Sequence, residues 1–289
     1  MFFRWEWLRP VLTAPIVPTL GPVHPHVLTV DLFEDTLRAA VTGRSFLPYD
    51  KDRRWSGEKD ETVLRHGVVH RPDRTLVPTL SRRGRGVVKM FAYGHHDGVV
   101  DEAAGLAAQL AAVHGAADAR VVRPLGPETG SPRGTRVQLQ DFAARACPDP
   151  GGPVRPVAAW PAAVRETFAS FATAMAADGL AFLHRRMREG RCGPVLAAAV
   201  EDRIVGAIGP LEVRPDAIGC PQLLPQYFGV LPEARGQGLG RVLWRAAMHW
   251  GQSRGAAYQL LQTEVGGPSD LLCRSEGLAS LGFSRTTRV

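Results

Sequence analysis

An α/β protein is the fold class this sequence predicts, and three observations predict it. Strand-like and helix-like hydrophobic periods alternate along the chain. A short apolar run at Tyr227–Val230 is joined to a strongly amphipathic helix by the turn Arg235-Gly236-Gln237-Gly238-Leu239-Gly240. Of the 289 residues 45% are hydrophobic, enough to bury a core, yet no run of about 18 uncharged apolar residues is long enough to span a membrane.

The first thirty residues are rich in proline (Pro10, Pro15, Pro18, Pro22, Pro25) and read as an extended arm, because proline fixes its own backbone angle and lacks the N–H a helix needs. Asp31 is the expected N-cap of a helix with Phe33, Leu37, Ala40 and Val41 on its apolar face and Gly43 as its stop. Residues 44–75 read as charged and irregular, with Tyr49–Trp55 as a solvated basic and aromatic loop. A strand over Gly86–Phe91, a helix from Gly98 to His114 carrying Leu106, Leu110 and Val113, and a strand near Val121-Val122 complete a small α/β unit. Lys89 and Glu102 superficially suit a kinase small lobe. However, His95-His96-Asp97 precedes the helix instead of following it, and no Asp-Phe-Gly occurs.

Glycines and prolines crowd Leu125–Gly134, so the domain boundary is placed there, giving an N-terminal α/β domain of open role over 1–130 and a second domain over 131–289. The second begins with a strand at Arg136–Phe142 and a loop at Asp149–Pro153. Helical spacing returns at Phe168, Phe171, Ala172 and Met175, and again at Leu180, Leu183 and Met187. A hairpin over Val195–Val200 and Arg203–Val213 turns at Glu201-Asp202. After the Tyr227–Val230 strand, the helix runs to about Arg254 on Leu239, Val242, Leu243, Ala246, Ala247 and Trp250. A strand at Tyr258–Val265, a helix at Ser269–Leu281 and a final run from Gly282-Phe283 complete the order. The basic run His184–Arg188 reads as a solvated helix end or as an entrance for an acidic substrate.

The turn is an anion cradle by construction. Its glycines bring backbone N–H groups close to a ligand, and the first helical turn adds unsatisfied donors and the positive end of a dipole. It is not a P-loop, since no Lys-Ser/Thr follows, and it is not Gly-x-Gly-x-x-Gly.

Arg235–Gly240 with its lead-in Val230-Leu231-Pro232-Glu233 resembles the Arg/Gln-x-x-Gly-x-Gly signature of the GCN5-related N-acetyltransferases (GNAT), and the element order after it is similar to theirs. The resemblance implies a GNAT-like mixed, mostly antiparallel sheet flanked by helices in the C-terminal half, preceded by a smaller α/β domain. It implies an acyltransferase that moves an acyl group from acetyl-CoA or another acyl-CoA to an amine. The donor would sit on Phe228, Gly229, Val230, Arg235, Gly236, Gln237, Gly238, Leu239, Gly240 and Arg241. Such chemistry needs an unprotonated amine, a polarised carbonyl and a proton for the leaving thiolate. Glu264 leads as the base with Glu212 behind it, and backbone N–H groups around Phe228–Val230 suit the oxyanion.

Many members carry a tyrosine on the last helix, four positions before a Gly-Phe pair; here that position is Leu278. Three readings stay open: the thiolate leaves unaided, another hydroxyl such as Tyr227, Tyr258 or Ser275 serves, or the protein has become a non-catalytic acyl-CoA-binding module. A seventh strand is also missing after the last helix. The N-terminal region or a second subunit, as in a homodimer, is expected to supply it.

Lys and Arg total 35 against 28 Asp and Glu, a net charge of +7. That excess keeps open a variant in which the donor is an acidic acyl carrier protein or an aminoacyl-tRNA. Cys147, Cys192, Cys220 and Cys273 are scattered, without metal-ligand or disulfide spacing, and read as buried thiols. With neither leader nor membrane span recognisable, the expected compartment is the cytoplasm.

Overall fold

The computed structural model describes residues 5–42, 47–55, 60–130 and 133–289, so Met1–Arg4, the helix stop at Gly43 and Ser131-Pro132 of the boundary lie outside it. Mixed α/β structure is present throughout, in two compact units. One contains Met1–Gln140, Asp216–Ile218 and Leu260–Val289; the other contains Asp141–Pro215 and Gly219–Gln259.

The first unit opens with a short helix α1 (Trp5–Leu8), the strand pair β1 (Ile16–Val17) and β2 (Gly21–Pro22), and helix α2 (Val30–Thr42). The arm is extended only in part: Trp5–Leu8 is helical and Arg9–Val11 and Pro25–Val27 are single 3-10 turns that tolerate proline at their start. Much of it is buried, with Val11, Ala14, Ile16 and Val17 at most 2% exposed. The cap of α2 is Thr29, not Asp31: the Leu32 N–H donates to Thr29 Oγ1 at 3.3 Å, and Asp31 sits in the first turn.

Two short strands, β3 (Glu61–Val63) and β4 (Val69–Arg71), and the start of a third, β5 (Arg74–Ser81), fall within the stretch that the sequence reads as irregular. The first two are too short to show a period, and Pro78 interrupts the third, which ordinarily argues against a strand. Next come β6 (Val87–Gly94), α3 (Val99–His114), β7 (Asp118–Leu125) and β8 (Thr135–Asp141). Strands β5 and β6 pair antiparallel, while β6 and β7 pair in parallel across the α3 crossover. The face α3 buries is Val99, Ala103, Ala107 and Ala111, a small-residue stripe seated on Leu76, Val88, Met90 and Val121; Val113 is exposed at 77%. Lys89 pairs with Glu61 at 2.8 Å, whereas Glu102 takes Arg74 at 2.5 Å.

The second unit holds β9 (Val154–Pro156), helices α4 (Ala162–Glu166), α5 (Phe168–Ala174) and α6 (Leu180–Arg188), then β10 (Leu196–Val200), β11 (Arg203–Gly209), β12 (Val213–Pro215), β13 (Pro221–Leu223), β14 (Tyr227–Val230) and α7 (Leu239–Ser253). An antiparallel sheet runs in the order β9-β10-β11-β14. The β10–β11 hairpin turns on Glu201 and Asp202, both at positive φ (48° and 59°), the pair of left-handed residues that a two-residue hairpin requires. Leu239, Leu243, Trp244, Ala247 and Met248 bury one face of α7. Each of the leucines and Met248 contributes about 1.5–3 kcal/mol on burial.

Strand β15 (Tyr258–Glu264) starts beside β13 in parallel register and is followed by α8 (Pro268–Ser275) and β16 (Ala279–Arg288). The last helix stops at Ser275, not at Leu281, because Gly277 turns the chain at φ +81°. Leu278, the position where the family resemblance leads one to look for a tyrosine, is therefore buried beyond the helix end.

The strand missing after the last helix is supplied from within the chain: β8 lies between β15 and β16, and β7 pairs with the other edge of β16. Around this join Asp270 is fully buried. It accepts from Arg136 Nε (2.7 Å), Gln138 Nε2 (3.2 Å), Thr263 Oγ1 (3.2 Å) and the Gly266 N–H (3.0 Å).

Candidate functional site

The site is built on β14, which ends the four-stranded sheet. It pairs on one edge with β11, from Gly209↔Tyr227 to Gly206↔Val230. On its other edge no strand is bonded to it among the described residues, and the next strand, β15, begins beside β13 instead. The strand therefore offers an open edge of main-chain groups next to the turn that follows it.

Alternation divides the two faces of β14 between two helical neighbours. Phe228 and Val230 face α7, where a Cβ on Gly240 would stand in ordinary contact with both, at 3.5 and 3.8 Å. Gly229 lies under Met175 and Leu180; a Cβ there would come within 2.8 Å of Met175 Cε. Tyr227 lies against the α5–α6 turn. Gly179, at φ +80°, is so close to its ring that a Cβ would be 2.5 Å away, and the Phe182 ring lies 5.8 Å from it. Gly179, Phe182 and Met175 were not readable as site residues. The one local signal was Asp178-Gly179 as a helix break.

After β14 the chain makes a tight turn at Pro232–Ala234, and Arg235 folds its guanidinium back so that Nε donates to the Val230 carbonyl at 3.0 Å. Glu233 is held by Arg203 at 2.7 Å. Gly236 and Gly238 both stand at φ +80°, a conformation that costs an L-residue roughly 1–2 kcal/mol. Nothing lies within 4 Å of the side-chain position at either, so the backbone there faces open space.

The N–H groups of Gly236, Gln237, Gly238, Leu239 and Gly240 enter no hydrogen bond among the described residues. These are the orphan donors of a helix start. No acidic residue occupies the first turn of α7, so nothing offsets the positive dipole end there. Open donors and positive potential are the features by which a helix start suits an anion such as a phosphate. Gln237 and Arg241 are exposed at its rim.

A chain of side-chain amides ties the start of β14 to β15. Gln226 Nε2 donates to the Leu224 carbonyl, and Gln259 Nε2 donates to Gln226 Oε1 at 2.7 Å. The carbonyl fixes the direction of the whole chain, leaving the buried Gln259 Oε1 without a donor. No sequence pattern pointed to this pair.

The acid–base candidates are placed differently. Glu264 is the exposed last residue of β15 and belongs to the unit of Leu260–Val289. Glu212 is half-buried and ion-paired to Arg214. Tyr258 is buried, and exposed Ser275 donates to the Leu272 carbonyl at 2.7 Å. Tyr227 is the half-buried hydroxyl on β14 itself. On α6, burial lowers the pKa of His184, and nearby Arg188 adds to the shift. Burial raises the Cys192 thiol against the opposing pull of Arg186, and burial with Asp270 and Glu276 pushes Cys273 up to about 12.

Residues 160–269 match the sequence profile of the acetyltransferase (GNAT) family. Comparison with curated proteins found no match. Among solved structures, the chain is similar to a GCN5-related N-acetyltransferase from Sphaerobacter thermophilus at 16% identity, covering 88% of this chain and 90% of that one with a TM-score of 0.47. It is similar to a tandem GNAT protein from the clavulanic acid biosynthesis pathway at 12% identity, with coverage of 90% and 94% and a TM-score of 0.48. A GCN5-related N-acetyltransferase from Kribbella flavida aligns at 15% identity over 76% and 87%, with a TM-score of 0.43.

Proposed function

We propose, from the match of residues 160–269 to the GNAT acetyltransferase family, that the protein transfers an acyl group from acyl-CoA, acetyl-CoA first among them, to an amine. The observation that carries the reading is the run of open N–H groups from Gly236 to Gly240 at a helix start free of acid. In this reading the pyrophosphate rests on those donors with Gln237 and Arg241 at its rim, and the pantetheine arm lies along the open edge of β14. Main-chain groups of Phe228–Val230 polarise the thioester carbonyl as it becomes an oxyanion.

The amine must lose a proton before or during attack. Glu264, exposed and without an ion-pair partner among the described residues, is the better base; Glu212 is engaged by Arg214. Tyr227 is the hydroxyl suited to protonate the thiolate. A thiol pKa of about 8.5 makes that assistance a modest contribution. No described helix is long and apolar enough to cross a membrane, and the cytoplasm is the compartment we assign.

Calorimetric titration with acetyl-CoA at low and high salt is the test, with Gly238→Trp as the variant that fills the cradle. Binding by the wild type that is lost in the variant is the expected result. No binding at either salt would overturn the small donor in favour of a carrier protein or aminoacyl-tRNA. Those polyanions would show a steep salt dependence of their own. Glu264→Gln should then abolish turnover while acetyl-CoA binding persists; retained turnover would remove Glu264 from the mechanism, and binding with no turnover in the wild type would leave an acyl-CoA-binding module.

A further inference from the structure

The run Pro221–Val230 changes neighbours half-way along. Its first part, β13, is bonded on both edges, antiparallel to β12 (Val213↔Leu223) and parallel to the start of β15 (Gln222↔Tyr258, Leu223↔Gln259). Its second part, β14, is bonded to β11 alone among the described residues. Between them lie Leu224, Pro225 and Gln226. Leu224 keeps a main-chain bond, its N–H donating to the Glu212 carbonyl at 2.9 Å. The tie to β15 then passes to side chains. Gln259, the register partner of Leu223, reaches three residues further along and donates from Nε2 to Gln226 Oε1 at 2.7 Å, and Gln226 Nε2 donates in turn to the Leu224 carbonyl.

This chain of amides has one sense. A carbonyl only accepts, so Gln226 gives its amino group to Leu224 and its oxygen to Gln259. Gln259 uses its own amino group there, and its oxygen is buried without a donor. Gln259 is fully buried and Gln226 half-buried. Apolar side chains of similar length would fill the same place and leave no buried acceptor over, so packing does not account for two amides here. What amides add is direction. Two hydrogen bonds in series fix Gln226, the residue just before Tyr227, against the last main-chain pair of β13 and β15. Side chains therefore set the start of β14 at the point where main-chain pairing to β15 stops.

We propose that Gln226 and Gln259 are positioning residues for the acyl donor: their amide chain sets the direction in which β14 leaves the start of β15, and with it the alignment of the main-chain groups of Phe228–Val230 along which the acyl arm lies. The proposal rests on the acyl-CoA reading above and adds two residues that act through β14 without touching the reacting atoms. The glycine turn follows the opposite end of β14. The arm of the donor and its nucleotide end should therefore respond differently when the pair is removed.

The test is calorimetry on the full chain with two probes, acetyl-CoA and phosphoadenosine diphosphate, the nucleotide end of the donor without its arm. Acetyl-CoA should bind the wild type more tightly, and the ratio of the two dissociation constants measures the arm. In the double variant Gln226→Met with Gln259→Met that ratio should fall about fivefold or more, because an edge no longer preset must be ordered by the ligand, while the affinity for the fragment stays the same. Each single variant should lose as much of the ratio as the double, since members of one hydrogen-bonded chain are not additive. Thermal unfolding of the double variant should stay cooperative with a midpoint near that of the wild type, the lost donor to Leu224 being offset by removal of the orphan acceptor. Gln226→Glu keeps the acceptor for Gln259 but has no donor for Leu224; it should lose part of the ratio, and it is the variant to read if the double does not fold. Acetyl-CoA binding no tighter than the fragment, a ratio unchanged in the variants, single losses that add, or a fall in fragment affinity equal to that of acetyl-CoA would each overturn the proposal. Binding of neither probe by the wild type would overturn the acyl-CoA reading and this proposal with it, whereas binding of both with an unchanged ratio in the variants removes this proposal alone.

Discussion

Two strand–turn–helix–strand crossovers in this chain have the same order and opposite character. The first runs β6–α3–β7 and the second β14–α7–β15. In the first, the strands are bonded in parallel register from Val87↔Asp118 to Phe91↔Val122, and beyond that point the chain's own arm engages both. Tyr93 Oη donates to the Ile16 carbonyl at 2.9 Å, and Thr13 Oγ1 donates to the Pro124 carbonyl at 3.0 Å. Asp101 and Glu102 stand in the first turn of α3, and Gly98 before it is in the ordinary right-handed conformation. In the second, β14 has an open edge, the turn glycines stand at φ +80°, and the first turn of α7 is free of acid. The shared connection thus sets a helix start beside a strand end, and the residues at that joint decide whether an anion is welcome there.

The returning strands differ as well, and this is where the comparison breaks with the largest effect. The first is held by hydroxyl and main-chain contacts to the arm. The end of β15 is held by Asp270, buried and tied to Arg136, Gln138, Thr263 and Gly266. Asp270→Ala should cost about 3–5 kcal/mol in denaturant unfolding, since removing one member of a buried pair strands the other. Burial alone would raise the pKa of Asp270, but Arg136 and the Gly266 N–H outweigh it and the net shift is downward. The folded state therefore gains stability from this group above the unfolded value of about 3.9, and loses it as pH falls through the lower folded value. A wild-type stability profile between about pH 5 and pH 2 should show this acid-side loss, and in Asp270→Asn it should flatten.

Tyr93→Phe probes the plug of the first crossover. It leaves the Ile16 carbonyl without its buried donor, and the expected cost is about 1–3 kcal/mol, read as a lower unfolding midpoint. Acetyl-CoA binding, which we propose for the second crossover, should not change. A loss of binding in this variant would mean that the two crossovers are not independent in function.

The contrast also explains which parts the sequence made legible. The second crossover is written locally: strand, glycine turn and amphipathic helix occupy one continuous stretch, and each signals through its own period or its own backbone demand. So Tyr227–Val230, the α7 stripe and the Glu201-Asp202 hairpin were all readable. Strands β3 and β4 were not, because three residues carry no period, and β5 hides behind Pro78. The Gln226–Gln259 amide chain, the Phe182–Tyr227 ring pair and the Asp270 cluster join residues that are distant in sequence. Nothing at either end of such a pair announces the other. The last helix misled for a local reason: its apolar period continues past Ser275, and only Gly277 marks the stop.

The finest test exchanges the same chemical change between the two joints. Gly238→Ala puts a methyl group on a backbone at φ +80°, where there is space but the left-handed conformation is costly; the expected loss is about 1–2 kcal/mol. Gly98→Ala puts it at φ −58°, where the nearest atom is the movable His96 ring at 3.3 Å. The chain also loses unfolded-state freedom there, so the change should be neutral or stabilise by up to about 1 kcal/mol. Thermal unfolding of the two variants should therefore move in opposite directions or separate clearly. If Gly98→Ala were as damaging as Gly238→Ala, the glycine of the first joint would also be under a conformational demand, and the distinction drawn between a plugged joint and an open one would have to rest on the acids of α3 alone.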